Sequence, residues 1–157
     1  MNVTVMSRRD AIKYCYQPHS QRVIMISISD PYETYMRGPF SSHENGVAAV
    51  LPLAFADAEV PGKDVYYREV GEEDLISQAD AKKIRDFLQR YPDTDVIVHC
   101  DAGISRSAGV GAAILKWATG SDFAIFDNPR FMPNMRCYRV VLTVLMSLKQ
   151  KPNNTEF

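Results

Sequence analysis

Apolar positions along the chain alternate between short runs typical of buried strands and longer stretches with helical spacing. The strand candidates are Val3 to Met6, Arg22 to Ser29, Val47 to Phe55 and Asp95 to His99. The helix candidates are a segment capped by Ser7 and ending before Pro18, and the segments Ser77 to Tyr91, Ser107 to Thr119 and Met135 to Lys149. Because strands and helices alternate, the pattern predicts an α/β fold with a central, mainly parallel sheet flanked by helices.

A proline within one strand candidate and the composition of one connecting segment refine the prediction. Pro52 interrupts a strand candidate and places that strand at a sheet edge or at a bulge, since proline cannot donate to the ladder. Residues 30–45 contain two prolines, a glycine and two serines and predict a long loop, a kind of segment that often borders a functional site. The loop contains the aromatic residues Tyr32, Tyr35 and Phe40, which are candidates for the rim around a substrate ring.

Length and composition indicate one globular domain spanning residues 1–157, with 46% hydrophobic and 24% charged residues. The formal charge of −1 argues against a generally basic protein that binds nucleic acid or a membrane surface. No apolar run approaches the roughly 18 residues of a transmembrane helix. The three cysteines form no disulfide framework and no secretory signal is visible, so we expect a reducing, cytoplasmic setting. The oligomeric state stays open.

The near-neutral total conceals an uneven distribution of charge. Residues 1–101 carry 11 basic and 16 acidic side chains, whereas residues 102–157 carry 7 basic and 3 acidic ones. The positive part includes Arg106, Arg130, Arg136 and Arg139. We therefore expect a local attraction for anions that the total charge does not reveal.

The most distinctive segment reads HCDAGISRS, from His99 to Ser107, and lies between a strand candidate and a helix candidate. Backbone N–H groups and the helix dipole favour an anion at such a turn. The predicted phosphate-binding residues are Asp101, Ala102, Gly103, Ile104, Ser105 and Arg106. Arg106 offers a bidentate fork, and the Cys100 thiol beside it is expected to ionise to a nucleophilic thiolate. Asp101 adds a negative charge, so we expect its side chain to point away from the anion.

This pattern of Cys-x5-Arg with a preceding His, an internal Gly and a following Ser resembles the signature of cysteine-dependent protein tyrosine phosphatases. It is most similar to the small dual-specificity branch, in its bacterial and phage-like form. The resemblance implies that Cys100 forms a phosphocysteine intermediate and that Arg106 stabilises the transition state. It also implies that His99 holds the loop and tunes the thiolate, and that Ser107 hydrogen-bonds to the sulfur and eases its departure. No metal or organic cofactor is implied.

Expulsion of the substrate oxygen requires a general acid, which in this family is an aspartate on an upstream loop. Asp57 follows the strand candidate that ends at Phe55, in a Phe-x-Asp arrangement similar to that of the bacterial and phage-like relatives. Asp64 and Asp74 are the alternatives, because they lie in the same connecting segment. The sequence does not decide the path of that segment.

Residues outside the loop support narrower hypotheses. Asn134, in a Pro-Asn-Met sequence, resembles a residue of the same relatives that buttresses the phosphate loop, and it is equally suited to cap a helix. Cys15 and Cys137 are weaker candidates for protecting Cys100 through a disulfide under oxidation. His19 and His43 have no metal-ligand spacing with the cysteines, so no metal site is predicted.

The resemblance covers about residues 22–148 and predicts a phosphomonoester hydrolase, most readily a protein-tyrosine or dual-specificity phosphatase. Its substrate would be a phosphorylated protein or another phosphomonoester, with phosphoserine, lipid and RNA 5′-phosphate substrates left open. Two alternatives belong to other classes. One is an inactive module that binds a phosphopeptide, and the other is a thiolate-based sulfurtransferase or arsenate reductase.

Overall fold

The structure is a computed structural model that describes residues 1–32, 46–64 and 67–149. The predictions that involve Tyr35, Phe40 and His43 lie outside the described residues. Strands are β1 (Val3–Ser7), β2 (Val23–Ser29), β3 (Val47–Ala54), β4 (Gly62–Lys63), β5 (Glu69–Val70) and β6 (Asp95–Cys100). Helices are α1 (Arg8–Cys15), α2 (Gln78–Arg90), α3 (Arg106–Thr119), α4 (Phe123–Phe126) and α5 (Met135–Lys149), and a 3₁₀ turn covers Glu72–Asp74.

The main sheet has four strands in the order β1-β6-β2-β3, and every neighbouring pair is parallel. The predicted α/β class with a parallel sheet is therefore confirmed. Pro52 lies on β3, which is an edge strand, so its missing N–H leaves no gap within the sheet interior. The register between β2 and β3 shifts between Val23 and Ile24. Strands β4 and β5 form a separate antiparallel hairpin within the segment that connects β3 to α2.

The two faces of the sheet are covered by different helices, because alternate side chains of a strand point to opposite faces. Ile24, Ile26 and Ile28 of β2 join the large core cluster that also contains buried residues of α2, α3 and α5. Met25 belongs to a smaller cluster with Ala11 of α1. The strands are thus apolar on both faces, as the nearly continuous hydrophobic runs predict.

Local sequence explains where the helices begin and end. The Ser7 hydroxyl accepts a hydrogen bond from the Asp10 N–H at 3.1 Å, and Ser77 with Asp80 forms a capping box at the start of α2. Gly120 ends α3 with a φ of 86°, a conformation that glycine adopts without strain. The short helix α4 was not predicted, because four residues are too few to show helical periodicity. Among the described residues, no helix is both long and apolar enough to cross a membrane.

Candidate active site

The candidate nucleophile lies where β6 gives way to the loop that leads into α3. Cys100 is the last residue of β6 and Arg106 is the first of α3, so the loop lies at the carboxyl edge of the parallel sheet. Such edges are where ligands bind in open α/β sheets. The Cys100 side chain is buried, and its Sγ is 3.1 Å from Oγ of Ser107, which is also buried. The structure therefore brings together the thiol and the hydroxyl that the sequence pattern paired.

The turn of the loop depends on Gly103 for two separate reasons. Its φ of +70° is in the left-handed region, where any residue with a Cβ is strained. A Cβ at this position would lie only 2.5 Å from the carbonyl carbon of Met6 and from the nitrogen of Ser7. The loop therefore packs directly onto the end of β1, and only glycine fits this contact.

His99 is buried beneath the loop and is held by two hydrogen bonds. Nδ1 is 3.1 Å from the Cys100 carbonyl oxygen, and Nε2 is 2.7 Å from Oγ of Ser27, its register partner on β2. Burial lowers the pKa of His99 to about 4, so the ring is neutral at pH 7. Since a carbonyl only accepts, Nδ1 carries the proton and donates to Cys100, and the Ser27 hydroxyl donates to Nε2.

Arg106 is buried at the start of α3, and one edge of its guanidinium is already occupied. Nη1 donates to Oδ1 of Asp30 at 2.7 Å and to the Phe55 carbonyl oxygen at 2.9 Å. Nε is buried and has no hydrogen-bond partner among the described residues. A buried donor without a partner is costly in a folded protein, which makes Nε a ready position for an anion. The clamp through Asp30 fixes the guanidinium and leaves this other edge available.

The acidic residue within the loop is neutralised by an arginine from α1. Nε of Arg8 donates to Oδ1 of Asp101 at 2.9 Å, and the Arg8 backbone N–H donates to the Asp101 carbonyl oxygen at 3.1 Å. The Arg8 guanidinium also donates to Oγ of Ser29 at 3.1 Å and to the Ile28 carbonyl oxygen at 3.4 Å. The Asp101 carboxylate therefore points toward Arg8, as expected, and the ion pair between the two side chains stabilises the loop.

Asp57 lies beside the loop rather than remote from it. Its Oδ1 accepts hydrogen bonds from Oγ of Ser105 at 2.8 Å and from Nδ2 of Asn134 at 3.2 Å. Asn134 also contacts the loop directly, since its backbone N–H donates to the Ser105 carbonyl oxygen at 3.0 Å. Its Oδ1 accepts from the Cys137 N–H at 2.9 Å, as expected of a residue capping α5. Buttressing and capping are thus both performed by Asn134.

The two alternative aspartates make local contacts elsewhere. Asp64 accepts from Nε of Arg68 at 2.7 Å and from the Arg68 N–H at 2.9 Å, within the β4–β5 hairpin. Asp74 accepts from the Gly71 N–H at 2.9 Å at the 3₁₀ turn. The hydroxyl of Tyr32, the one described aromatic residue of the long loop, lies 3.5 Å from Oδ2 of Asp74. These contacts stabilise the connecting segment, whereas Asp57 is hydrogen-bonded to the loop between Cys100 and Arg106.

The remaining cysteines and arginines occupy different surroundings. Cys137 is fully buried in the same core cluster as Cys100, and burial raises the pKa of its thiol. Cys15 is partly exposed at the end of α1, against the opposite face of the sheet. Arg136 pairs with Glu72 at 2.6 Å, and Arg130 lies 4.0 Å from Asp10. The positive charge of residues 102–157 is therefore partly neutralised by acidic residues from the first part of the chain.

Metal ligands do not cluster in the part of the chain that the structure describes: it contains no group of three His, Cys, Asp or Glu side chains able to hold a metal ion. His19 stacks on the ring of Tyr14, with 3.6 Å between the ring centroids.

Three residues that shape the site were not singled out from the sequence. Arg8, Ser27 and Asp30 are distant in sequence from residues 99–107. Arg8 and Asp30 directly follow β1 and β2, and Ser27 lies two residues before the end of β2. The parallel order of the strands brings them to the same edge of the sheet. One signal was available, because polar residues at the carboxyl ends of predicted parallel strands are expected to meet there.

Comparison with protein-family models and with curated protein sequences gives no match. Comparison with solved structures gives several chains of similar length and fold. The structure of PTPMT1 in complex with PI(5)P is 20% identical, has a TM-score of 0.55, and the alignment covers 94% of this chain and 92% of that one. Tk-PTP in the active form is 18% identical with a TM-score of 0.52, and the alignment covers 93% of this chain and 92% of that one. Human DUSP28 is 19% identical with a TM-score of 0.54, and the alignment covers 94% of this chain and 93% of that one. This chain has the protein tyrosine and dual-specificity phosphatase fold. The expected phosphatase-like architecture is confirmed.

Proposed function

We propose that this protein is a cysteine-dependent phosphomonoesterase of the tyrosine or dual-specificity type. The observation that carries the proposal is the pairing of two features around one loop. Sγ of Cys100 lies 3.1 Å from the Ser107 hydroxyl, and the buried Nε of Arg106 lacks a partner in the described structure. The first feature suits a sulfur that must leave as a thiolate, and the second suits a phosphate that accepts from the guanidinium.

The proposed reaction has two steps. The Cys100 thiolate attacks phosphorus, an S–P bond forms, and the P–O bond to the substrate oxygen breaks as Asp57 donates a proton to that oxygen. Arg106 and the loop N–H groups stabilise the charge on the equatorial oxygens. Water then attacks phosphorus while Asp57 accepts its proton, and the S–P bond breaks to release inorganic phosphate. The Ser107 hydroxyl donates to the departing sulfur, which restores the thiolate.

His99 and Asp101 act through the shape of the loop. The neutral His99 ring donates to the Cys100 carbonyl and therefore holds the nucleophile's backbone in place. Arg8 keeps the Asp101 carboxylate occupied, so that the phosphate faces the loop N–H groups and Arg106. Both residues are positioning residues in this proposal, and Asp57, Cys100, Arg106 and Ser107 are the catalytic ones.

We further propose a phosphorylated protein as the substrate and the cytoplasm as the location. The leading substrate chemistry is a phosphomonoester on tyrosine, because the segment from His99 to Ser107 resembles the signature of cysteine-dependent protein tyrosine phosphatases. A catalytic thiolate stays reduced in the cytoplasm, which supports that location. The structural neighbour PTPMT1 was solved with the lipid PI(5)P, so a phosphoinositide is the substrate class against which the protein substrate must be tested.

The deciding experiment compares the wild type with Cys100→Ser and with the control Cys15→Ser, using p-nitrophenyl phosphate. We expect hydrolysis by the wild type and by Cys15→Ser and none by Cys100→Ser. Rapid acid quenching followed by mass spectrometry should show a phosphate on the peptide that contains Cys100. Full activity in Cys100→Ser would contradict the mechanism. Tight phosphopeptide binding by the wild type without phosphate release would indicate a binding module, and faster turnover of thiosulfate or arsenate would indicate the sulfur- or arsenic-handling alternative.

A further inference from the structure

A groove of about 570 Å³ lies directly beside the phosphate loop. We call it the loop-side groove. Its apolar lining comes from the loop itself and from the chain around α4 and the start of α5: Ile104, Phe126, Met132, Pro133 and Met135. Asp57, the proposed general acid, also lines it. A ligand in this groove would therefore be adjacent to any phosphate bound in the loop.

Hydrogen bonds connect the groove rigidly to the loop. The Met132 N–H donates to the Ile104 carbonyl oxygen and the Asn134 N–H donates to the Ser105 carbonyl oxygen, both at 3.0 Å. The segment from Met132 to Asn134 thus runs along the outer wall of the loop. Its position relative to a bound phosphate is set by the main chain, which makes the groove a preformed extension of the site.

Three large apolar side chains of the lining are exposed. Met132 is 75% exposed, Ile104 40% and Phe126 39%. Large apolar side chains that are exposed together mark surfaces that bind a partner or ligand. Methionine suits this role because its flexible side chain adapts to ligands of different shapes.

The charge of the groove selects among ligands. Its charged lining residues in the described structure are Asp57 and Glu59, and it includes no lysine or arginine. The Glu59 carboxylate accepts from the Met135 N–H at 2.6 Å, so it is held at the groove by the start of α5. An acidic group next to the phosphate would meet these carboxylates, whereas an apolar group would bury Met132, Phe126 and Ile104 from water.

From these observations we propose that the loop-side groove binds an apolar side chain, such as leucine, methionine or phenylalanine, adjacent to the phosphorylated residue of a peptide substrate. This inference rests on the proposed phosphatase function and specifies its substrate class. Met132 and Phe126 are the specificity-determining residues. The groove supplies affinity for the residue next to the phosphate, while the loop and Arg106 bind the phosphate itself.

The test uses a set of phosphotyrosine peptides that differ only in the residues flanking the phosphotyrosine: leucine, alanine, lysine or glutamate. We expect the wild type to show a kcat/KM about tenfold higher for the leucine peptide than for the glutamate peptide, a ratio typical of apolar subsites. In Met132→Lys the leucine-to-glutamate ratio should fall to about one, because the new cation attracts glutamate. Phe126→Ala should reduce the preference for leucine over alanine.

The control is Tyr16→Lys, which introduces the same charge at a residue that is 82% exposed at the end of α1, outside the groove. It should retain the wild-type ratio. Equal kcat/KM values for all four peptides, or the same change of ratio in Tyr16→Lys, would overturn the groove assignment while leaving the phosphatase function intact. The groove assignment would also be overturned if the wild type hydrolysed a soluble phosphatidylinositol 5-phosphate faster than any peptide and Met132→Lys hydrolysed it equally fast. That result would indicate a lipid substrate. Absence of phosphate release from every substrate would refute the proposed function itself.

Discussion

His99 couples the stability of the fold to pH in a way that can be calculated from its surroundings. The folded protein holds the ring neutral with a pKa of about 4, chiefly because the side chain is desolvated. In the unfolded chain the pKa returns to about 6.5. Since the folded-state pKa is the lower one, the unfolded state binds the extra proton, and acid favours unfolding. The stabilisation is complete above pH 6.5 and is lost progressively as the pH falls from 6.5 toward 4.

The magnitude follows from these two pKa values. Between pH 7 and pH 5 the single proton taken up by His99 on unfolding should lower the free energy of unfolding by about 2 kcal/mol. The matched variant is His99→Gln, which retains a polar side chain beneath the loop and removes the titration. All other titratable groups are common to both proteins, so the difference between the two pH profiles isolates the contribution of His99.

The assay is urea unfolding at equilibrium, at pH values from 7.5 to 5.0, with the m-value compared at each pH. We expect the stability of the wild type to fall by about 2 kcal/mol more than that of His99→Gln between pH 7 and pH 5. Parallel profiles would refute the reasoning, because they would mean that the ring is protonated in the folded state as readily as in the unfolded chain. An m-value that changes with pH would show instead that the folded or unfolded state itself changes.

Three further predictions concern the loop and its surroundings. Asp57→Asn retains the hydrogen bonds to Ser105 and Asn134 but cannot donate the acid proton, so kcat for a phosphotyrosine peptide should fall about 100-fold with little change in KM; an unchanged kcat would transfer the acid role to Asp64 or Asp74. Gly103→Ala should lower the free energy of unfolding by roughly 2–5 kcal/mol, because the added Cβ is strained at a positive φ and clashes with Met6. Urea unfolding measures the change, and the control is Gly62→Ala, whose added Cβ meets nothing within 4 Å. Asp30→Asn weakens the clamp on Arg106 and should lower kcat/KM about tenfold, the kinetic equivalent of roughly 1.4 kcal/mol; an unchanged kcat/KM in steady-state assays would show that the Phe55 carbonyl holds Arg106 without Asp30.

The strands and helices were predictable from the sequence where their formation depends on residues close together in the chain. Hydrophobic runs defined the four strands of the main sheet, helical spacing defined α2, and the capping residue Ser7 defined the start of α1. Each of these signals depends on neighbours within a few positions. The short helix α4 and the pairing of β4 with β5 were not predicted, since elements of two to four residues carry no periodicity. Pro52 correctly indicated an edge strand or a bulge because its missing donor acts locally.

The candidate site likewise combines features that the local sequence predicts with contacts that depend on the tertiary structure. The sequence alone placed Cys100, Arg106 and Ser107 in one short segment at a helix start, since eight successive residues cannot lie far apart. Only the tertiary structure decided what surrounds them. Ser27 hydrogen-bonds to Nε2 of His99, Asp30 clamps Arg106, and Arg8 neutralises Asp101 from parts of the chain 70 or more residues away. These contacts arise from the order of the parallel strands, and that order follows from packing on both faces of the sheet rather than from any local sequence pattern.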